Sequence, residues 1–312
     1  MSAHDANWFV RARLKPRQLL LLVAIEDHGN IHKAGAALSM TQPAASKLLK
    51  DLEDALGLPL FERLPRGMRP TWYGEIMIRH SRMALSTLRI AHEEIAALAE
   101  GVTGQVAVGV IMAPGSVLLP PAIVRVKQSY PRLQMRVELD SSDMLISGLL
   151  SGNLDIVVAR IFDHHDRSQL NFEPLAEEHM CLVARQGHPL LRRRKLQLKD
   201  LVDANWILPT GQVLRHRFEM MFVNAGLELP KNVVGTPALL VTTNLLERGD
   251  MVAVLSRDVA KHYYEYGMLR FLPIDLPLKM DAYGIITRRG QLLSPGARLM
   301  LDAIRETAAE IY

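Results

Sequence analysis

Residues Ser39–Leu56 read SMTQPAASKLLKDLEDAL, and this stretch decides the fold around it. Thr41 suits a helix N-cap, and Pro43 falls in the first turn, where a missing N–H costs nothing and the fixed φ already fits. Ala45, Leu48, Leu49, Leu52 and Leu56 recur at spacings of three and four, which puts them on one buried face. Gln42, Ser46, Lys47 and Lys50 fall on another face and supply an amide, a hydroxyl and two cations near the N-terminal end. Those groups reach base edges and phosphates.

Working outward toward the N-terminus, Lys15–His28 forms a first helix with Leu19, Leu22 and Val23 inward, ended by Gly29. Asn30 caps a second helix whose Ile31, Ala34 and Leu38 face the same core, with Ala34, Ala36 and Ala37 small enough for a close crossing. Only Ser39 and Met40 then precede Thr41. Two short helices so tightly joined, the second with a polar outer face, read as a helix-turn-helix. Residues 1–13 show no periodicity and read as a loose tail.

Toward the C-terminus comes GLPLFERLPRGMRPT. Leu60 and Phe61 begin one short strand, Arg69–Thr71 a second, and Pro65-Arg66-Gly67 turns between them. The result is a β-wing carrying Arg63, Arg66 and Arg69. Arginines there can meet phosphates or enter a minor groove, although a solvated basic hairpin is the plainer alternative. From Trp72 to about residue 99 there is no proline, so one helix on the order of 40 Å follows at ~1.5 Å per residue. Met77, Ser81, Ala84, Leu88, Ala91, Ile95 and Leu98 form a coiled-coil-like seam, widened by Met83 and Ile90. A helix this long leaving a small domain has little surface of its own chain to cover it, so a dimer contact is expected. Gly101 and Gly104 end the helix.

The bulk numbers agree. A chain of 312 residues, 49% hydrophobic and 22% charged, is an ordinary globular protein of two or three domains. Residues 1–71 hold 10 Lys+Arg against 7 Asp+Glu, whereas the other 241 residues hold 27 against 26. The cationic excess therefore surrounds the opening helix, as an anionic polymer requires. A single cysteine, Cys181, excludes an internal disulfide and reads as a buried core thiol. No leader or membrane span is visible, so a cytoplasmic protein is expected.

Residues 15–75 resemble the winged helix-turn-helix of the LysR-type transcriptional regulators. The match runs from TQPA through LE, LG, LF and R to TWYG at that family's spacing. The resemblance implies an α/β architecture in three parts. A winged helix-turn-helix occupies 1–71, a dimerising linker helix and hinge 72–103, and a two-lobed, periplasmic-binding-protein-like effector domain 104–312. Lobe I spans about 104–171 and 280–312, and lobe II about 172–279. It also implies double-stranded promoter DNA as partner, a small-molecule effector, a homodimer that pairs into a tetramer, and RNA polymerase as a further candidate partner. No cofactor, metal or membrane is implied. The DNA-binding set is Arg17, Gln42, Pro43, Ser46, Lys47, Lys50, Arg63, Arg66 and Arg69.

The remaining sequence fits. Strands at 106–111, 133–139 and 155–160 alternate with helices at 117–129 and 144–151, a βαβαβ order with apolar strands that reads as a parallel sheet. Strands at 180–184, 206–208 and 251–255 and helices at 215–225, 237–249 and 258–266 make the second lobe. A strand at 283–287 and a helix at 295–311 return to the first. Ligands on such sheets gather beyond the carboxyl ends of strands, here in the cleft between lobes.

Ser116, Ser141, Ser142, Arg160, Thr210, Gly211, Gln212 and Pro237 are the effector candidates. Ser116 opens its helix, where an anion is favoured, though plain capping is equally compatible. Arg160 closes an apolar strand. It reads either as a carboxylate clamp or as half of a structural salt bridge to Asp140 or Asp163. An anionic, carboxylated metabolite is the expected effector. The segments DIVVAR, EPLAEE, GHPL and WILPTGQVLRHRFE resemble the subgroup regulating protocatechuate use and a galactose-binding protein. In that subgroup a threonine often follows the loop glycine, where this chain has Gln212, which puts transfer of ligand identity in doubt.

Enzymatic motifs are missing: there is no GxSxG, phosphate-binding loop or zinc spacing. His164-His165-Asp166 reads as an exposed polar turn, and Arg192-Arg193-Arg194-Lys195 as a solvated loop with a second nucleic-acid patch as the alternative. A solute-binding protein using the same cleft is the competing function, and an enzyme the third.

Overall fold

The computed structural model describes residues 14–65, 67–100 and 103–312, without the side chains of 98–100 and Gln212. Three helices open it: α1 (Pro16–His28), α2 (Ile31–Ala37) and α3 (Gln42–Leu56). Gln18 folds its side chain back onto the Lys15 N–H at 2.7 Å to start α1, and Gly29, at φ 63°, ends it. Asn30 Oδ1 accepts the His32 N–H at 2.7 Å to start α2. Ala34 and Gly35, rather than Ala36 and Ala37, make the close crossing: the latter two are exposed. A Cβ on Gly35 would lie 3.3 Å from that of Ala45.

Strands β1 (Phe61–Leu64) and β2 (Gly67–Pro70) form the wing, antiparallel with Phe61 opposite Pro70. Helix α4 (Trp72–Glu100) then leaves the small domain. Leu21, Leu22, Ile25, Ala45, Leu52, Leu60 and Ile78 share one core, so α4 is seated in the winged domain through its first two turns. The tail at 1–13, Arg66, the Leu98 side chain and Gly101 lie outside the described residues.

The larger part contains β3 (Gln105–Val110), α5 (Met112–Val117), α6 (Leu119–Ser129), β4 (Gln134–Leu139), α7 (Ser142–Leu150), β5 (Ile156–Ala159) and β6 (Leu170–Arg185). There follow β7 (Asn205–Leu208), α8 (Gln212–Asn224), β8 (Val233–Gly235), α9 (Leu239–Arg248), β9 (Met251–Ser256), α10 (Arg257–Glu265), β10 (Leu269–Phe271), β11 (Lys279–Arg288) and α11 (Pro295–Ile311). The strand order is β4-β3-β5-β11-β6-β9-β7-β8, with β10 also on β6. β3 runs parallel to β4 and β5, and β7 parallel to β8 and β9.

β6 and β11 are the crossing strands. Their first-lobe halves pair Ile285 with Glu173 and Val158, while the far half of β6 pairs Leu182 with Val254 of β9. Each end has its own core. Val106, Val108, Leu145, Val157, Met300 and Ile304 pack in lobe I. Trp206, Phe218 and Phe222 pack in lobe II, where the buried indole N–H is satisfied by the Leu201 carbonyl at 2.9 Å. The lobes meet where β6 and β11 cross.

Candidate nucleic-acid interface and effector cleft

Helix α3 buries Ala45, Leu49 and Leu52, with Leu48 and Leu56 half-buried beside them. Gln42, Pro43, Lys47 and Lys50 are exposed on the other side, and Ser46 is half-buried at its edge. Thr41 is the N-cap, but its hydroxyl makes no capping bond. The Glu53 carboxylate anchors the buried side, accepting the Leu60 N–H at 2.7 Å and the Phe61 N–H at 3.2 Å. It therefore fixes the wing strand against α3.

The wing is tied at two further points. The Met68 N–H donates to the Gly29 carbonyl at 2.9 Å, and the Thr71 hydroxyl donates to Pro59 O at 2.8 Å. Arg63 is exposed there, as is Arg17 on the first turn of α1. Arg69 is exposed too, but pairs with Glu62 at 3.1 Å, so its charge is partly committed. A side-chain amide on α3 can read adenine with two bonds, and the lysines and wing cations can neutralise phosphates.

In the larger part, Arg160 directly follows β5 and is more than nine-tenths buried. Its backbone N–H donates to the Ser142 hydroxyl at 3.2 Å, its Nε to the Asp281 carbonyl at 2.9 Å, and its Nη2 to the buried Glu178 carboxylate. Its partner is thus Glu178 on β6, not Asp140 or Asp163. The Tyr283 ring lies 5.8 Å from the guanidinium. Burial pushes the Arg160 pKa down to about 10, which still leaves it charged at neutral pH. The same burial pushes the Tyr283 phenol up, helped by its bond to the Tyr312 hydroxyl. From lobe II, Arg217 of α8 grips the Asp281 carboxylate at 2.8 and 3.0 Å. Polar contacts through the backbone and side chain of Asp281 therefore link Arg160 to Arg217 across the crossing strands.

The structure brings Ser142 and Arg160 together and sets Ser141 beside them as the N-cap of α7, its hydroxyl accepting the Met144 N–H at 3.4 Å. Ser116 does not open its helix. Residues 112–117 wind into α5, and the Ser116 hydroxyl donates back to Met112 O at 3.0 Å near the end of that turn. Thr210 and Gly211 follow β7, and Pro237 follows β8. The two loops are neighbours, because Thr236 N–H bonds Leu208 O and a Cβ on Gly235 would lie 3.5 Å from Thr210 Cγ2. The Gln212 side chain lies outside the described residues. Sequence reasoning missed Glu178, Asp281, Arg217 and Tyr283. The one visible signal was Glu178 itself, a carboxylate two residues before the apolar strand run.

A winged domain on a long helix, joined to two α/β lobes linked by crossing strands, has the parts of a ligand-responsive DNA-binding regulator. Residues 16–75 match the family profile described as a bacterial regulatory helix-turn-helix protein, lysR family, and residues 99–309 match the LysR substrate binding domain. The chain is 42% identical to the transcriptional regulator GbpR of Azospirillum brasilense, over 96% of this chain and 88% of that one. It is 34% identical to the regulator GalR of Pseudomonas putida, over 94% and 74%. Among solved structures it is similar to full-length CbnR complexed with its target DNA, with TM-score 0.64 and 21% identity over 94% and 100% of the chains. The chain belongs to the LysR family: it is a DNA-binding transcriptional regulator with an effector-binding domain. That family consists of regulators, not enzymes.

Proposed function

We propose that Gln42, Pro43 and Ser46 touch base edges in a promoter while Arg17, Lys47, Lys50, Arg63, Arg66 and Arg69 hold phosphates. A small molecule with an acidic group, bound between the lobes by the Ser141, Ser142 and Arg160 side and the Thr210, Gly211, Gln212 and Pro237 loops, then alters promoter binding and DNA bending. To do so it must bind two arrangements of the molecule with different affinities. Dimers form through α4 and pair into tetramers, so that several winged domains span an extended site. Such a regulator works in the cytoplasm, with RNA polymerase as a downstream partner. Among the described residues, no helix is long and apolar enough to cross a membrane.

One observation carries the DNA reading: among the described residues, Gln42, Pro43, Lys47 and Lys50 of α3 stand exposed, while Glu53 on the same helix holds the wing strand. An open face on a helix anchored in this way suits direct contact. Ser46→Ala is expected to relax base preference, and Arg66→Ala to weaken all sequences alike with a salt slope shallower by about one unit. Gel shifts on a series of single-base operator changes, at several salt concentrations, distinguish the two. Equal loss of discrimination in both variants would count against this division of labour. The effector is best sought by thermal shift over carboxylates and sugar acids, since a cognate ligand stabilises the folded sensor.

A further inference from the structure

Two histidines and an aspartate that neither site uses meet where the winged domain and α4 face lobe I. Asp143 stands in the first turn of α7, and its Oδ1 lies 2.8 Å from His164 Nε2 and 2.8 Å from His165 Nε2. The contact with His164 has hydrogen-bond geometry. The one with His165 does not: that Nε2 is buried without a hydrogen-bond partner, on a side chain only 9% exposed. Buried polar atoms nearly always have partners, so this one calls for an explanation. His165 is therefore not part of an exposed polar turn, although its neighbours are.

The three groups open on a cavity of about 540 Å³ that also touches Glu26, Glu75, Arg79, Arg82 and Asp166. Glu26 is already bound by Arg82. The remaining walls carry three carboxylates, Glu75, Asp143 and Asp166, against the single guanidinium of Arg79, which favours a cation.

We propose that Asp143, His164 and His165 bind one divalent transition-metal ion of the zinc class. Two imidazoles and one carboxylate suit zinc, cobalt or nickel, whereas magnesium and calcium require oxygen donors. All three donor atoms lie within 4.8 Å of one another, and the fourth position faces the cavity. Binding requires two adjustments. Ligands about 2.0–2.1 Å from a tetrahedral ion stand about 3.3 Å apart, so each imidazole retreats by about half an ångström from Asp143. In addition, His165 Nδ1 accepts the Phe162 N–H at 2.9 Å, which leaves the ring proton on Nε2. The ion takes the Nε2 lone pair, the proton moves to Nδ1, and the Phe162 amide is released. The site thus couples an ion to a loop of lobe I that lies against the helix leading to the DNA reader.

The test uses full-length protein without a polyhistidine tag, stripped with chelator and titrated with cobalt(II) chloride by visible absorption and with zinc chloride by calorimetry. One saturable cobalt equivalent, displaced by zinc but not by magnesium, is expected. His164→Gln and Asp143→Asn alter exposed side chains and should keep the metal-free melting temperature while weakening that equivalent by roughly tenfold or more. Zinc should also speed amide exchange at Phe162 in the parent protein and not in His164→Gln. No saturable equivalent in the parent, undiminished affinity in both variants, or tight binding with Phe162 exchange unmoved would each overturn the proposal.

Discussion

Arg160 carries the sharpest question at the level of single residues. Its guanidinium and the Glu178 carboxylate are both more than nine-tenths buried. Removing one partner of such a pair strands a charge and costs about 3–5 kcal/mol, so Arg160→Ala is expected to destabilise the sensor. It should nonetheless leave DNA binding and abolish the response to a carboxylate effector. Glu178→Gln separates ligand binding from folding: it keeps shape and hydrogen bonding but removes the built-in anion that a ligand carboxylate must displace. With any carboxylate that shifts the melting temperature of the parent protein, calorimetry should show tighter binding to Glu178→Gln and none to Arg160→Ala. Undiminished affinity in Arg160→Ala would sink the anionic-effector reading.

Among the elements, α4 shows most clearly what patterning can and cannot reveal. Its apolar positions divide into two stripes. Ile78, Ser81 and Ile90 are buried within the chain, whereas Leu88 and Ile95 stand 60% and 68% exposed, with Ala84 and Ala91 exposed along the same side. Exposed leucine and isoleucine at coiled-coil spacing are a contact surface in waiting. Leu88→Glu combined with Ile95→Glu should leave helical circular dichroism intact and convert dimers or tetramers to monomers in light scattering. An unchanged mass would remove α4 from the interface. The winged helices and the parallel strands of lobe I were legible because their signals are local, in caps, in three-four spacing and in apolar runs. β6 was legible only in its second half. Pro174, Glu173, Glu177 and Glu178 break its alternation, and its first half is a strand because β11, about a hundred residues later, pairs with it. α5 was missed for a related reason. Pro114 and Gly115 are poor helix formers, and residues 112–117 are helical because the turn packs on Val110 and Leu139.

For the whole molecule, α4 joins the winged domain to the sensor along the chain, and Arg82 ties that helix to both. Its guanidinium donates to Glu26 at 2.7 Å and to Asp27, both on α1, and to Asn153 of lobe I at 2.9 Å. Those carboxylates hold the Arg82 pKa above its ordinary value although burial alone would lower it. Farther along, Arg89 pairs with the buried Asp155 at 3.1 Å, and Asp155 in turn accepts the Ala107 N–H at 2.8 Å. The Arg89 pair fixes α4 to lobe I, while the Arg82 cluster also reaches α1 of the winged domain. Arg82→Ala is therefore expected to free the reader without disturbing either fold. Amide exchange should rise at residues 151–154 and at the end of α1, and small-angle scattering should show a larger radius of gyration. The melting transition of the sensor core should stay within about 1 kcal/mol of the parent, as befits a partly exposed cluster. DNA affinity at fixed salt should change little, because no base-reading residue is touched. Unchanged exchange and scattering would show that Arg89 and the packing of Ile78 suffice to hold the arrangement, and that Arg82 is not the pin.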